Sequence, residues 1–253
     1  MLNPKITDQK IAEILHQETA GLYLLDKPKG LHSFHLVSRL RHLLNQKKVG
    51  FAGTLDPLAS GLMILASGPA TKLLDVFHIL SKVYEAEIIF GQTSASYDLE
   101  HEPNINTVAQ EFDKTTLLKA LEHFTGEQWQ QAPIFSAKKV AGQKLNKLAR
   151  KGKIVEAPKK QITIFDIKLK SFTYPKAKII VTCSAGTYIR SLAHDLGQFL
   201  GTGALLSDLR RIAIGDFTIK KAASLDLFDP EQLQKSQISY DQLIDCLREN
   251  RAQ

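Results

Sequence analysis

Gly50-Phe51-Ala52-Gly53-Thr54-Leu55-Asp56-Pro57-Leu58-Ala59-Ser60-Gly61 is followed at once by Leu62-Met63-Ile64-Leu65-Ala66. One carboxylate, Asp56, stands among three glycines and a proline. Glycine opens backbone conformations closed to other residues and lets another molecule approach closely. Pro57 fixes the chain just after the acid. The apolar run that follows reads as a buried strand. A carboxylate held in a stiff loop at the mouth of a core strand is placed to serve as a nucleophile or base. The competing reading is plain: Asp-Pro within a Gly/Ser-rich stretch is also a common turn.

The 253 residues suit one large domain or two small ones. At 43% hydrophobic the chain can bury a sizeable core. A formal charge of +7 suggests a polyanionic partner without identifying one. The two cysteines, Cys183 and Cys246, form no disulfide framework, and no Cys/His cluster has metal-ligand spacing. Residues 1–20 are polar and lack the apolar stretch of a signal peptide. No apolar run approaches the roughly 20 residues that span a membrane. The composition points to a soluble, reduced, cytoplasmic protein. A monomer is the default, with no sequence signal either way.

From the glycine loop outward, Gly21–Asp26 reads as a strand. Ser33 is a good helix N-cap, and Leu36, Leu40, Leu43 and Leu44 behind it predict an amphipathic helix over 34–45 whose other face carries Arg39, Arg41, His42 and Lys47. A helix is expected near 69–79, a half-buried strand over Lys82–Phe90, a polar loop over 91–103 and a helix near 114–124. From Ala137 to Lys153 there are seven basic residues and no acid. Leu145 and Leu148 interrupt them at helical spacing, which predicts a basic helix with one packed edge. A charge run of this kind is commonly only a solvated face, but the lack of acids favours phosphate contact. Strands are expected at 161–170, 177–184 and 211–218, and a helix over 187–200. Strands and helices alternate without the regularity of a parallel βαβ sheet, so the fold class is α+β.

Gly53-Thr54-Leu55-Asp56-Pro57-Leu58-Ala59-Ser60-Gly61 closely resembles the catalytic motif of the TruB family of tRNA pseudouridine synthases. Five further segments resemble that family in order: Lys27-Pro28-Lys29-Gly30, Lys82-Val83-Tyr84, Gln131 through Lys138, Gly186 through Leu192, and Leu209-Arg210-Arg211 with Gly215-Asp216-Phe217. Together they span about residues 21–220. The resemblance implies isomerisation of uridine 55 in the T-loop of tRNA to pseudouridine, with no cofactor and no metal. It implies a mixed, largely antiparallel sheet flanked by helices and loops. The corresponding domains are a catalytic domain over 1–225, with a basic RNA-binding insertion at about 126–156, and a helical tail over 226–253.

By the same resemblance Asp56 is the nucleophile, attacking either base or sugar. Arg190 pairs with it and orients it, a role suited to a cation that stays charged and can bond bidentately. Tyr84 stacks on the flipped uracil and its hydroxyl helps remove the proton from carbon 5. Tyr188 and Leu209 wall the pocket, and Asp98 bonds a pocket or RNA group or is a plain turn acid. Phe51 and Lys27 complete the substrate-binding set with Lys138, Lys139, Lys144, Arg150 and Lys151 of the basic segment.

Two departures from the family pattern stand out. Most members carry a histidine five residues before the nucleophile, where this chain has Phe51, which can stack but cannot donate a hydrogen bond. The expectation is weaker or slower tRNA handling with chemistry retained. Also, 36 residues follow Phe217, too few for a C-terminal RNA-binding domain of the PUA type, so recognition is expected to rest on the T-arm. The reading from another class is a tRNA-binding or tRNA-folding protein without chemistry, which Phe51 keeps open.

Overall fold

The computed structural model describes residues 6–106, 108–136, 138–140, 142–150, 157–224 and 229–249. The chain opens with α1 (Asp8–Leu15), β1 (Gly21–Lys27), α2 (Ser33–Leu44), β2 (Val49–Ala52) and β3 (Ser60–Ser67), then a 3-10 stretch at Gly68–Leu73 leading into α3 (Leu74–His78). Next come β4 (Lys82–Phe90), the short β5 (Gln92–Thr93) and β6 (Asn104–Ile105), α4 (Lys114–His123), β7 (Gly126–Gln131), β8 (Lys139–Val140), β9 (Gln143–Lys144) and α5 (Leu145–Arg150). The last third holds β10 (Lys159–Thr173), β11 (Lys176–Cys183), α6 (Ile189–Phe199), β12 (Ala204–Ile214), β13 (Phe217–Thr218), β14 (Ala223–Ser224), α7 (Pro230–Lys235) and α8 (Tyr240–Glu249). Large mixed pairing flanked by helices is the α+β class read from the sequence.

Two compact units divide the chain, one made of residues 1–83 with 210–253 and the other of residues 84–209. In the first, β1 lies antiparallel to β3 from Gly21↔Ser67 to Lys27↔Gly61, and parallel to β14. The other edge of β3 is shared: Ile64–Ser67 pair with β2, and Ser60 and Gly61 pair in parallel with Arg210 and Arg211 of β12. Leu22, Leu24, Leu62, Ile64 and Ala66 pack with Ile11 and Ile14 of α1 and with Leu243, Ile244 and Leu247 of α8. Each such buried side chain contributes roughly 1.5–3 kcal/mol. Ile238 and the buried face of α8 therefore share this unit's core.

In the second unit the strand order is β12-β4-β11-β10-β7. Leu205 and the neighbouring apolar residues of β12 are fully buried. This explains why that strand begins at Ala204, well before the expected 211. The expected basic helix starts later than its charge pattern suggested, and residues 151–153 of that run lie outside the described residues. The segment forms the two-stranded β8/β9 hairpin and the six-residue α5, with Leu145 and Leu148 buried. Leu145 packs with Ala132 and Ala157.

Candidate active site

The glycine loop belongs to the first unit and is pinned at several points. Gly61 has φ +105°, and a Cβ there would lie 2.3 Å from the Arg211 carbonyl, so only glycine lets β3 run this close to β12. Gly53 has φ +72°. Arg211 is 2% exposed and donates from Nε to the Leu62 carbonyl (2.7 Å) and from Nη2 to the Gly53 carbonyl (3.1 Å), tying the start of the loop to the strand that follows it. Gly30 N–H donates to the Pro57 carbonyl (2.8 Å), and Ala59 N–H to the Asp56 carbonyl (3.1 Å).

Ser33 is not the N-cap of α2; His32 takes that place and makes no side-chain cap bond. The Ser33 hydroxyl is instead spent on the loop. It donates to the Leu55 carbonyl (2.8 Å) and accepts from the Leu55 N–H (3.0 Å), one residue before Asp56. A hydroxyl can do both at once because it carries a donor and two acceptor lone pairs.

Lys27, expected at the RNA surface, is fully buried. Its ammonium donates to the Pro28 carbonyl (3.0 Å) and the Leu31 carbonyl (2.8 Å), so it braces the turn below the loop rather than reaching phosphate. Burial lowers its pKa to about 8. The charges of Asp56 and Asp26 oppose that fall and the Arg211 charge adds to it. Lys27 is thus a buried cation that feels the charges of both Asp56 and Arg211. Arg210 is paired with Asp26 (2.5 Å) and donates to Ser60 Oγ (3.3 Å). Phe51 is half-buried in β2, opposite Leu65.

In the second unit α6 presents Arg190, 4% exposed. Its Nε lies 3.5 Å from Asp98 Oδ2, and its Nη1 and Nη2 donate to the carbonyls of Ser96 and Phe135, both at 3.0 Å. Asp98 is fully buried and also braces its own turn, accepting from Ser96 Oγ (2.5 Å) and Glu100 N–H (2.9 Å). One turn along α6, His194 stacks on Tyr97 with ring centroids 3.9 Å apart, and Tyr97 has a left-handed backbone (φ 63°). The helix therefore grips the Asp98 loop at two adjacent residues. Burial lowers the pKa of His194 and pushes Asp195 up to about 6.

Tyr84 and Leu209 are buried. Tyr188 caps α6 and exchanges two hydrogen bonds with the side chain of Gln130, at 2.8 and 3.0 Å. Lys138 is exposed, Lys139, Lys144 and Arg150 are placed by backbone in β8, β9 and α5, and Lys151 lies outside the described residues. Asp56 thus belongs to the first unit, and Tyr84, Asp98, Tyr188, Arg190 and Leu209 to the second. Ser33, Arg211 and Gln130 were not singled out from the sequence. Ser33 was visible there only as a helix start, and Arg211 only as part of a motif. Among the described residues no group of three or more His, Cys, Asp or Glu is placed to hold a metal ion, and no helix is long and apolar enough to cross a membrane.

The fold matches chains of solved complexes: a Cbf5–Nop10–Gar1 complex with TM-score 0.70 at 24% identity, and an H/ACA RNP bound to a substrate RNA with TM-score 0.66 at 22%. Each match covers 97% of this chain and 68% of the other. Residues 41–189 match the N-terminal domain of the TruB family of pseudouridylate synthases, and residues 190–249 the C-terminal domain of tRNA pseudouridylate synthase B. The chain is 38% identical over 224 residues to tRNA pseudouridine synthase B of Clostridium kluyveri, covering 88% of this chain and 77% of that one. It is 41% identical over 213 residues to the same enzyme of Opitutus terrae, covering 84% and 88%. The chain belongs to the TruB family of pseudouridine synthases.

Proposed function

We infer that the protein is a tRNA pseudouridine synthase, an isomerase acting on uridine 55 of the T-loop. The family membership supports the activity, and the observation that carries the site is the multiply pinned loop that presents Asp56. In the reaction the N1–C1′ bond of the nucleoside breaks, a C5–C1′ bond forms, the proton on C5 leaves to water and N1 takes one up. The target base lies inside a folded loop and must be flipped out, at a cost of a few kcal/mol. Contacts to the RNA backbone offset that cost.

Asp56 is the proposed nucleophile. The pins from Ser33, Arg211 and Gly30 fix its backbone, so little freedom is lost when the substrate arrives. Tyr84 supplies a flat face for the uracil. Arg190 supplies the cation of the site and Asp98 orients it. Tyr188 and Leu209 wall the pocket, and the basic segment carrying Lys138, Lys139, Lys144, Arg150 and Lys151 contacts phosphate. Lys27 serves the loop from beneath.

The test is tritium release from tRNA labelled at carbon 5 of its uridines. Release that disappears when uridine 55 is replaced by cytidine supports the reading. Release that persists assigns another site, and tight binding with no release identifies an RNA-binding protein without chemistry.

A further inference from the structure

We propose that the exposed face of α2 is a track for the phosphate backbone of the substrate RNA, an inference that rests on the reading of the chain as an RNA-modifying enzyme. The helix buries Ser33, Leu36, Val37 and Leu40. His32, His35, Arg39 and His42 are all exposed, and their 3-4-3 spacing aligns them in one stripe. At 1.5 Å per residue the stripe runs about 15 Å. The rings of His32 and His35 stack 6.4 Å apart, and the exposed Lys47 and Lys48 follow the helix.

Among the described residues no carboxylate is paired with the stripe. From Lys27 to Leu55 the sequence contains six Lys or Arg, three His and no carboxylate. The strands packed against α2 are β1 and β2. β2 (Val-Gly-Phe-Ala) has no acid, and the one carboxylate of β1, Asp26, is held by Arg210. Among the described residues no ion pair engages Arg39, Lys47 or Lys48. A solvated surface with no further task mixes both signs; the stripe 32/35/39/42 carries imidazoles and a guanidinium and no carboxylate. Arginine in particular suits phosphate, which it can grip bidentately.

Position selects the occupant. The stripe starts where Ser33 holds Leu55, so it runs outward from the Asp56 loop. RNA flanking a nucleotide delivered to Asp56 would have to pass there.

The test measures binding of a T-arm hairpin RNA to the full chain between about 50 and 200 mM salt, where phosphate contacts set the slope of log K against log salt. Arg39→Gln should make that slope shallower by about 1 and Lys47→Gln/Lys48→Gln by about 2, one for each phosphate no longer neutralised. Lys119→Gln, an exposed lysine on α4, should leave it unchanged. Wild-type slopes in both α2-face variants, with RNA turnover intact, would overturn the track and leave the functional reading standing. A wild-type protein that neither binds nor turns over the RNA would overturn both. An acidic peptide competing as well as RNA would assign the face to a protein partner instead and overturn the proposal.

Discussion

Ser33 Oγ holds both backbone groups of Leu55, donating to its carbonyl at 2.8 Å and accepting from its N–H at 3.0 Å. The two residues are 22 apart in sequence, and the next residue is Asp56. Ser33→Ala would leave a buried N–H and a buried carbonyl unpaired, at about 1–3 kcal/mol each. The expected result is a fall in kcat of about 10- to 100-fold, equivalent to about 1.4–2.7 kcal/mol. KM for the RNA should stay nearly unchanged and Ser33→Thr should restore part of the rate. A purely structural serine would give a lower Tm and an unaltered kcat for the folded fraction.

The Arg190–Asp98 pair makes a separate prediction. Both side chains are buried, at 4% and 1% exposure. Removing one partner leaves a buried charge uncompensated, which costs about 3–5 kcal/mol. Asp98→Asn and Arg190→Gln should each destabilise the protein strongly in urea. The double variant should be clearly less destabilised than the sum of the two. Strict additivity would mean the pair contributes no coupling.

Lys27 links the site to pH. Its pKa is lowered to about 8, first by burial. Above that value the ammonium loses its charge and its grip on Pro28 and Leu31 weakens. The rate should therefore decline as pH passes through about 8. Stability should move the other way. The folded-state pKa lies below the unfolded value of 10.5, so between the two the unfolded chain binds more protons and stability rises with pH. Initial rates and Tm measured from about pH 6.5 to about pH 10 check both signs. A flat rate across that range would show that the charge on Lys27 is not required.

Phe51 sits half-buried in β2, five residues before Asp56. Histidine at this position would add a hydrogen-bond donor. Phe51→His should raise kcat/KM on whole tRNA several-fold through tighter RNA binding. Unchanged affinity and turnover would remove this residue from the account of RNA handling.

Much of the first unit was legible because its signals are local. The apolar run 62–66 is a strand with both faces covered, and the leucine spacing after Ser33 is a helix that runs over 33–44. What stayed hidden was long-range. The serine looks like a cap because its hydroxyl partner lies 22 residues away. Lys27 reads as a substrate contact because burial, unlike its neighbouring carbonyl partners Pro28 and Leu31, is set by the tertiary fold. For Asp98 the sequence leaves open a pocket contact or a turn acid, because its partner Arg190 lies 92 positions on. The start of the basic helix stayed hidden too, because charge marks an exposed segment without fixing its backbone. Arg211 could not be read as a clamp, since its carbonyl partners become neighbours only when β12 pairs with β3.

The central claim is that Asp56 is the group that reacts. Wild-type protein and Asp56→Asn should be compared on tRNA labelled with tritium at carbon 5 of uridine, with RNA affinity measured for both. The account predicts release by wild type, no release by the variant at the longest times, and RNA affinity within a few-fold of wild type. Release by Asp56→Asn at a rate near that of wild type would contradict it.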